Sequence, residues 1–273
     1  MDKDRMRADF SEICQTTLPV RPWTEERTRR LPGLNPLAFD DWLVKDECFR
    51  EQMAYRDHLL RTRFDSVLAC ERGAEAAATE LRDRVLEAVL SCPGYSRNGN
   101  DVRRPDGVLV AVDGNRHPLL VAGQLVQEDF CILQRQKHEH VLTGAILCFP
   151  AGWLLSEKMG LPLTRIHGPV VSYDDRVARG VQRVFDRLPP ERPLWRANTL
   201  VYLNPDLFQP RSASDRRRRF GPGKRWIRVE RQTLVKLRST RAVVFGIHTW
   251  VVEETRAAGA AEFVASRPGP TDR

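Results

Sequence analysis

Apolar residues recur at helical spacing in the first third of the chain and at strand spacing over much of the rest. From Asp40 onward, Trp42, Phe49, Met53 and Leu60 follow one another at four- or seven-residue intervals with charged residues between them. That spacing predicts an amphipathic helix, with Asp40 or Asp41 placed to cap it. A second helix is expected over 74–90, with Leu81, Val85 and Val89 inside and Cys92-Pro93-Gly94 as its stop. A third is expected over 174–188, burying Val177, Val181, Val184 and Phe185 and closed by Pro189-Pro190. Strand-type runs fall at 108–112, 119–121, 125–133, 141–149, 200–203, 226–237 and 242–252. Asp113-Gly114-Asn115, lying between apolar runs, reads as a hairpin turn. The polar stretch 98–105 reads as a seam, and a short helix near 156–159 is ended by Gly160.

Two of these strands carry polar residues where a sheet ordinarily has none. In 127–133, period two sets Glu128, Phe130 and Ile132 on one face and Asp129, Cys131 and Leu133 on the other. The carboxylates sit either at an exposed strand start or against a pocket. In 226–234, Arg228, Glu230 and Gln232 share a face opposite Val229, Arg231 and Thr233. Charges inside a sheet are costly unless they are paired or meet a ligand. The alternatives are an exposed salt-bridge ladder, or a polar pocket wall with an arginine on an anion and Glu230 holding a cation or relaying protons.

Among the histidines, His167 stands out. A strand breaks at Phe149-Pro150, the chain turns through Ala151-Gly152-Trp153, and Ile166-His167-Gly168-Pro169 then fixes the histidine's backbone with a Gly-Pro pair. His248, inside an apolar strand, is the second candidate. His138 and His140 flank Glu139 in a charged turn and read as solvent-facing.

With 273 residues the chain is long enough for a substantial core without disulfides or structural metal. Residues 1–36 read as an irregular arm anchored by Trp23 and Leu31, 37–100 as a helical region, 101–256 as the core and 257–273 as a flexible tail. Six scattered cysteines without a CxxC pair fit reduced core thiols in a cytoplasm. The acidic N-terminal stretch lacks the apolar run of a signal peptide, and no later segment approaches the roughly 18 apolar residues that span a bilayer. A soluble, cytoplasmic protein without membrane contact is expected. The net charge of +8 is concentrated between Arg211 and Arg231, where nine Lys/Arg face two acids. The near-neutral remainder argues against a nucleic-acid partner. The run Arg216 to Arg219 is either a solvated loop or a dock for an acidic partner or phosphate-bearing cofactor. No Ser-His-Asp order, Walker loop, GxGxxG or HExxH occurs, so hydrolase and nucleotide-binding readings have no support.

Taken together, QEDFCIL, LTGAILCFPAGWLLSEKMGLPLTRIHGPV, RPLWRANTL, RVERQTLVKL and AVVFGIHTWVV, in this order after LPGLNPLAFDDWLVKDECFREQMAYRDHLL, resemble the haem-dependent oxidative N-demethylase alpha-subunit-like family. The resemblance covers residues 31–254. It implies an α+β fold, a PAS-like antiparallel sheet with flanking helices and a helical N-terminal extension. It also implies haem b activating O2 to oxidise a small secondary amine, with release of formaldehyde and electrons from NADPH through a separate flavin and iron–sulfur reductase subunit. The resemblance implies a protein ligand to the iron, because haem chemistry needs one such ligand and an open face; of the histidines singled out above, His167 is taken as the axial ligand with His248 as alternative. Arg228 and Arg231 then face the propionates or a bound anion, Glu230 the substrate ammonium or a proton relay, and Trp153 and Phe149 form apolar wall. The chain departs from the family pattern at Val170-Val171, Asn198-Thr199 and Lys236-Leu237-Arg238. These leave every proposed ligand in place and bear on the identity of the amine. Two other functions compete with the oxygenase: a non-catalytic PAS-like haem or ligand sensor, and a cofactor-free interaction protein.

Overall fold

A computed structural model describes residues 10–29, 33–168, 175–215 and 223–266. In chain order the elements are α1 (Glu26–Arg29), β1 (Asn35–Pro36), α2 (Phe49–Thr62), α3 (Phe64–Val67), β2 (Leu68–Cys70), α4 (Glu75–Leu90), β3 (Ser96–Asn98), β4 (Asp101–Arg103), β5 (Leu109–Ala111) and α5 (Pro118–Leu125). They continue with β6 (Asp129–Gln136), β7 (Glu139–Ile146), α6 (Leu155–Lys158), α7 (Leu163–Ile166), α8 (Asp175–Arg187), β8 (Leu194–Tyr202), β9 (Trp226–Lys236), β10 (Val243–Glu253) and α9 (Ala260–Ala265). Seven strands form one antiparallel sheet in the order β1-β8-β9-β10-β6-β7-β2, and β3-β4-β5 form a small second one.

The two faces of the large sheet are covered differently. On one face, Phe130, Ile132, Ile146, Val235 and Val244 share a core with Leu60 of α2, Leu81 and Val85 of α4, and Leu119 and Leu125 of α5. The same face continues across β9 and β10 as Ile227, Val229, Trp250 and Val252, which Leu18, Trp23, Ala260 and Phe263 cover. On the opposite face, Cys131, Leu133, Ala145, Leu234, Val243 and Ile247 pack against Leu155, Leu163, Phe185 and Leu188 from α6, α7 and the α8 region. Strands buried on both sides read as the continuous apolar runs seen in β6, β7 and β10.

The helices at 75–90 and 175–187 and the long strands β9 and β10 lie where the periodicity puts them. Several elements differ. Residues 119–121 are helical, because Pro118 opens α5 and the His117 ring accepts the Leu119 N–H at 3.2 Å. The Asp-Gly turn therefore leads into a helix, not a hairpin. Asp40 and Asp41 lie in a 3-10 turn, Phe39–Asp41, and α2 begins later, after Cys48, which makes no side-chain cap. The seam at 98–105 contains the β3–β4 pairing. β8 starts at Leu194 instead of 200, since Leu194 to Tyr202 alternates across the sheet beside β9.

The expected tail folds in part. α9 buries Ala260 and Phe263, and Trp23 Nε1 donates to the Ala258 carbonyl at 2.9 Å. Trp23 is an anchor of the N-terminal arm, 8% exposed; Leu31 lies outside the described residues. So do Arg216 to Arg219. No helix among the described residues is long and apolar enough to cross a membrane.

Candidate functional site

Glu128 and Asp129 are both buried, and the two faces give them different partners. Asp129 Oδ1 accepts from Arg56 Nη1 at 2.7 Å and from the Cys148 N–H at 2.7 Å, while its Oδ2 accepts the Phe149 N–H at 2.8 Å. Arg56 also donates to the carbonyls of Gly123, Gln127 and Glu128. One buried ion pair thus fixes the chain where β7 ends and the turn toward Trp153 begins. The expectation of an exposed strand start is corrected: each carboxylate has an internal partner.

On the helical face, Glu128 belongs to a network centred on His248. His248 Nε2 lies 3.1 Å from Asp46 Oδ2, and Nδ1 lies 3.2 Å from Glu128 Oε1. Asp46 accepts in addition from Gln15, Gln127 and the Cys48 N–H. Burial alone would lower the His248 pKa, but the bonds to Asp46 and Glu128 and their charges outweigh it and raise it to about 9. The ring is an imidazolium with a carboxylate at each nitrogen, its centroid 4.8 Å from that of the Trp250 ring, which it meets at a tilt of 59°. Nε2 is hydrogen-bonded to Asp46 and Nδ1 faces Glu128 as an ion pair, so the protonated ring has no lone pair for iron.

Arg231 points off that same face. It donates to the carbonyls of Trp42 (3.0 Å) and Asp41 and lies over the Trp195 ring. An odd separation from Arg228 puts it on the other side of β9, away from Arg228, Glu230 and Gln232. His140 is corrected as well. It is 2% exposed, holds Gln182 Oε1 at 2.7 Å through Nδ1 and meets Phe185 edge-on.

The opposite face carries a polar strip. Arg228, Glu230 and Gln232 of β9 alternate with their neighbours and pair in register with Leu200, Asn198 and Arg196 of β8. Arg228, 1% exposed, donates to the Leu207 carbonyl at 3.2 Å, to the Phe149 carbonyl and to Glu230 Oε1 at 3.2 Å. Gln232 Nε2 holds the other Glu230 oxygen at 3.1 Å. Glu230 is thereby oriented from both sides. Around it Arg196, Asn198, Leu200, Gln232 and Phe245 are only half-buried, so this part of the sheet is less covered than the helical face.

His167 stands at the edge of this strip, at the C-cap of α7. Leu163 anchors α7 in the core, and Lys158 Nζ donates to the Ile166 carbonyl at 2.8 Å, tying α6 to the turn. His167 Nδ1 lies 2.9 Å from the Leu163 carbonyl. A carbonyl can only accept, so Nδ1 carries the proton and Nε2 the lone pair. Burial pushes the His167 pKa down, the Leu163 bond opposes this, and the Lys158 and Arg196 charges push it further down. The result is a neutral imidazole with a fixed tautomer, the form in which histidine binds a metal. Trp153, Ile166 and Phe245 pack against the same apolar cluster.

The structure therefore gathers His167, Trp153, Arg228 and Glu230 on one face and sends Arg231 and His248 to the other. The Phe149 side chain stacks on Tyr55 at 6.0 Å and under Arg56, so only its carbonyl reaches the strip, not its ring. Arg196, Asn198 and Lys158 were missed in the sequence. The alternation of Arg196 and Asn198 with Trp195 and Ala197 was the available signal for two of them.

These residues fit a haem. A haem iron needs one protein ligand, an apolar bed for the macrocycle and cations for its carboxylates. His167, the surface of Trp153, Ile166 and Phe245, and the guanidinium of Arg196 have those properties. The sequence model of one protein family, described as haem-dependent oxidative N-demethylase, alpha subunit-like, matches residues 33–266. No curated protein matches the chain.

Proposed function

From the chain's membership of the haem-dependent oxidative N-demethylase, alpha-subunit-like family, we propose that it is the haem-binding subunit of an oxygenase that removes a methyl group from a small secondary amine. The observation that carries this reading is His167, a neutral imidazole with its Nδ1 proton held by the Leu163 carbonyl beside a half-covered polar strip. Bound there, haem b supplies the activation of O2 needed to oxidise an N-methyl group, which leaves as formaldehyde.

The chain's own residues divide the remaining work. His167 Nε2 would hold the haem iron, with Lys158 holding the turn that presents it. Arg196 takes the anion-binding role expected of Arg231. Arg228 is already committed to two carbonyls and to Glu230, so its part is to orient that carboxylate. Glu230 receives the substrate ammonium or passes a proton. Trp153 shields the site from water. The fold is PAS-like in this reading, the protein cytoplasmic, and electrons come from NADPH through a separate flavin and iron–sulfur reductase subunit.

The test is an absorption spectrum of protein made with a haem precursor, before and after dithionite and CO. A Soret band that shifts with CO and disappears in His167→Ala is expected. Formaldehyde released from a secondary amine in the presence of a reductase separates an oxygenase from a haem sensor. A colourless protein that takes up no added haem overturns the reading.

A further inference from the structure

The outer surface of α8 carries a row of arginines that the site described above does not use. Arg176, Arg179, Arg183 and Arg187 recur at three- and four-residue spacing, and all four are exposed. They form one ridge opposite the face that buries Ala178 and Phe185. At about 1.5 Å per residue the ridge is about 16 Å long.

Ordinary helix energetics do not account for it. Cations are favoured near a helix C-terminus, where Arg187 stands and where Lys236 Nζ already holds the carbonyls of Phe185 (2.8 Å) and Asp186 (3.0 Å). Arg176 and Arg179 lie in the first half, where the macrodipole favours acids. Among the described residues none of the four arginines makes an ion pair; Asp186, on the same helix, is taken by Arg135.

The ridge also borders a groove of about 530 Å³ between α8 and the β6–β7 turn, lined by Arg179, Arg183, Arg187, Gln182, Glu139 and Thr164, among others. Thr164 belongs to α7, three residues before His167. A molecule seated in the groove therefore stands about one helical turn of chain from the proposed iron ligand.

We propose that this groove is the docking surface for an acidic partner protein, the subunit or carrier that delivers electrons. The proposal rests on the haem reading for the electron step and on the ridge alone for the docking. In that step one electron leaves the partner's reduced iron–sulfur cluster, which is oxidised, and enters the cofactor, which is reduced. A nucleic acid fits less well, because Glu139 and Asp186 lie in the groove among the arginines and would meet phosphates, whereas a protein surface can answer both signs.

The probe is a small acidic [2Fe–2S] ferredoxin, its binding to the full chain measured by titration at low and moderate salt. Wild-type protein is expected to bind it with an affinity that falls as salt rises, and Arg179→Glu/Arg183→Glu to bind at least about tenfold more weakly with little salt dependence left. Arg61→Glu/Arg72→Glu, exposed charges outside the groove, should behave as wild type. If the charge-reversed protein does not fold, Arg179→Gln/Arg183→Gln replaces it. Absence of binding to wild type, or equal binding to both, overturns the proposal. So does tighter, ridge-dependent binding of a single-stranded DNA of roughly 20 nucleotides. Ferredoxin binding that depends on the ridge in a protein that takes up no haem upholds the dock and overturns the haem reading instead.

Discussion

Replacing His248 with alanine removes the cation between Asp46 and Glu128 and leaves the buried Glu128 and the half-buried Asp46 facing one another on one side of β10. Breaking a buried ion pair by deleting one partner costs about 3–5 kcal/mol. The imidazolium's own share follows from its titration. A pKa raised from 6.5 to about 9 corresponds to about 3 kcal/mol of preference for the folded chain. Because the folded value is raised, this stabilisation is complete below pH 6.5 and disappears as pH climbs through 9. Urea unfolding, followed by tryptophan fluorescence at pH 6, 7.5 and 9.5, reads both effects. With a slope of about 2–3 kcal/mol per molar, the variant's midpoint should fall by about 1–2 M at pH 6, and the gap should narrow by pH 9.5. Haem loading should survive the substitution, since the protonated ring has no lone pair for iron. A variant within about 1 kcal/mol of wild type at pH 6, or a wild-type midpoint flat from pH 6 to 9.5, would refute the reasoning.

Asp129→Asn leaves Arg56 buried without a counter-charge, for a cost of about 3–5 kcal/mol; a thermal melt should drop by roughly 10 °C. Gly123→Ala should destabilise although it improves helix propensity in α5, because the new Cβ would stand 2.0 Å from Ile146 Cδ1 and 3.3 Å from Arg56 Nη2; a loss of about 1–3 kcal/mol in denaturant titration is expected. His167→Ala should change stability by no more than about 1 kcal/mol while abolishing the Soret band, since the side chain is half-buried and its bond to the Leu163 carbonyl is local to α7.

Much of the scaffold was legible because it is written in long, regular periods. α4, α8, β9 and β10 each run for eleven or more residues, and their apolar spacing matches the faces they bury, except that Val177 of α8, expected inside, is 41% exposed. The failures share a cause: a short segment whose conformation is decided by one contact. α5 is apolar on every side, so its sequence has no period to read, and the Pro118 and His117 cap settles it. His140 looked solvated because its neighbours are charged, yet Gln182, forty-two residues later, receives its ring.

The candidate site shows the same limit in sharper form. Period two established that Arg228 and Arg231 lie on opposite faces of β9, and that Glu128 and Asp129 do so on β6, but parity does not say which face the helices fill. That depends on α2 and the segment leading into it, which supply partners from residues far away in sequence: Arg56 for Asp129, the 41–46 segment for Arg231 and His248. Once those partners are in place, the helical face has answered its charges internally. The strip of Arg228, Glu230 and Gln232 is answered from within β9, by backbone carbonyls and by the Thr249 hydroxyl of β10, with half-covered Arg196, Asn198 and Phe245 beside it. A ligand approaching the first face would have to break ion pairs worth several kcal/mol, whereas at the second it meets groups already oriented. The difference between the faces, not the identity of any one residue, is the reason to look for chemistry beside His167.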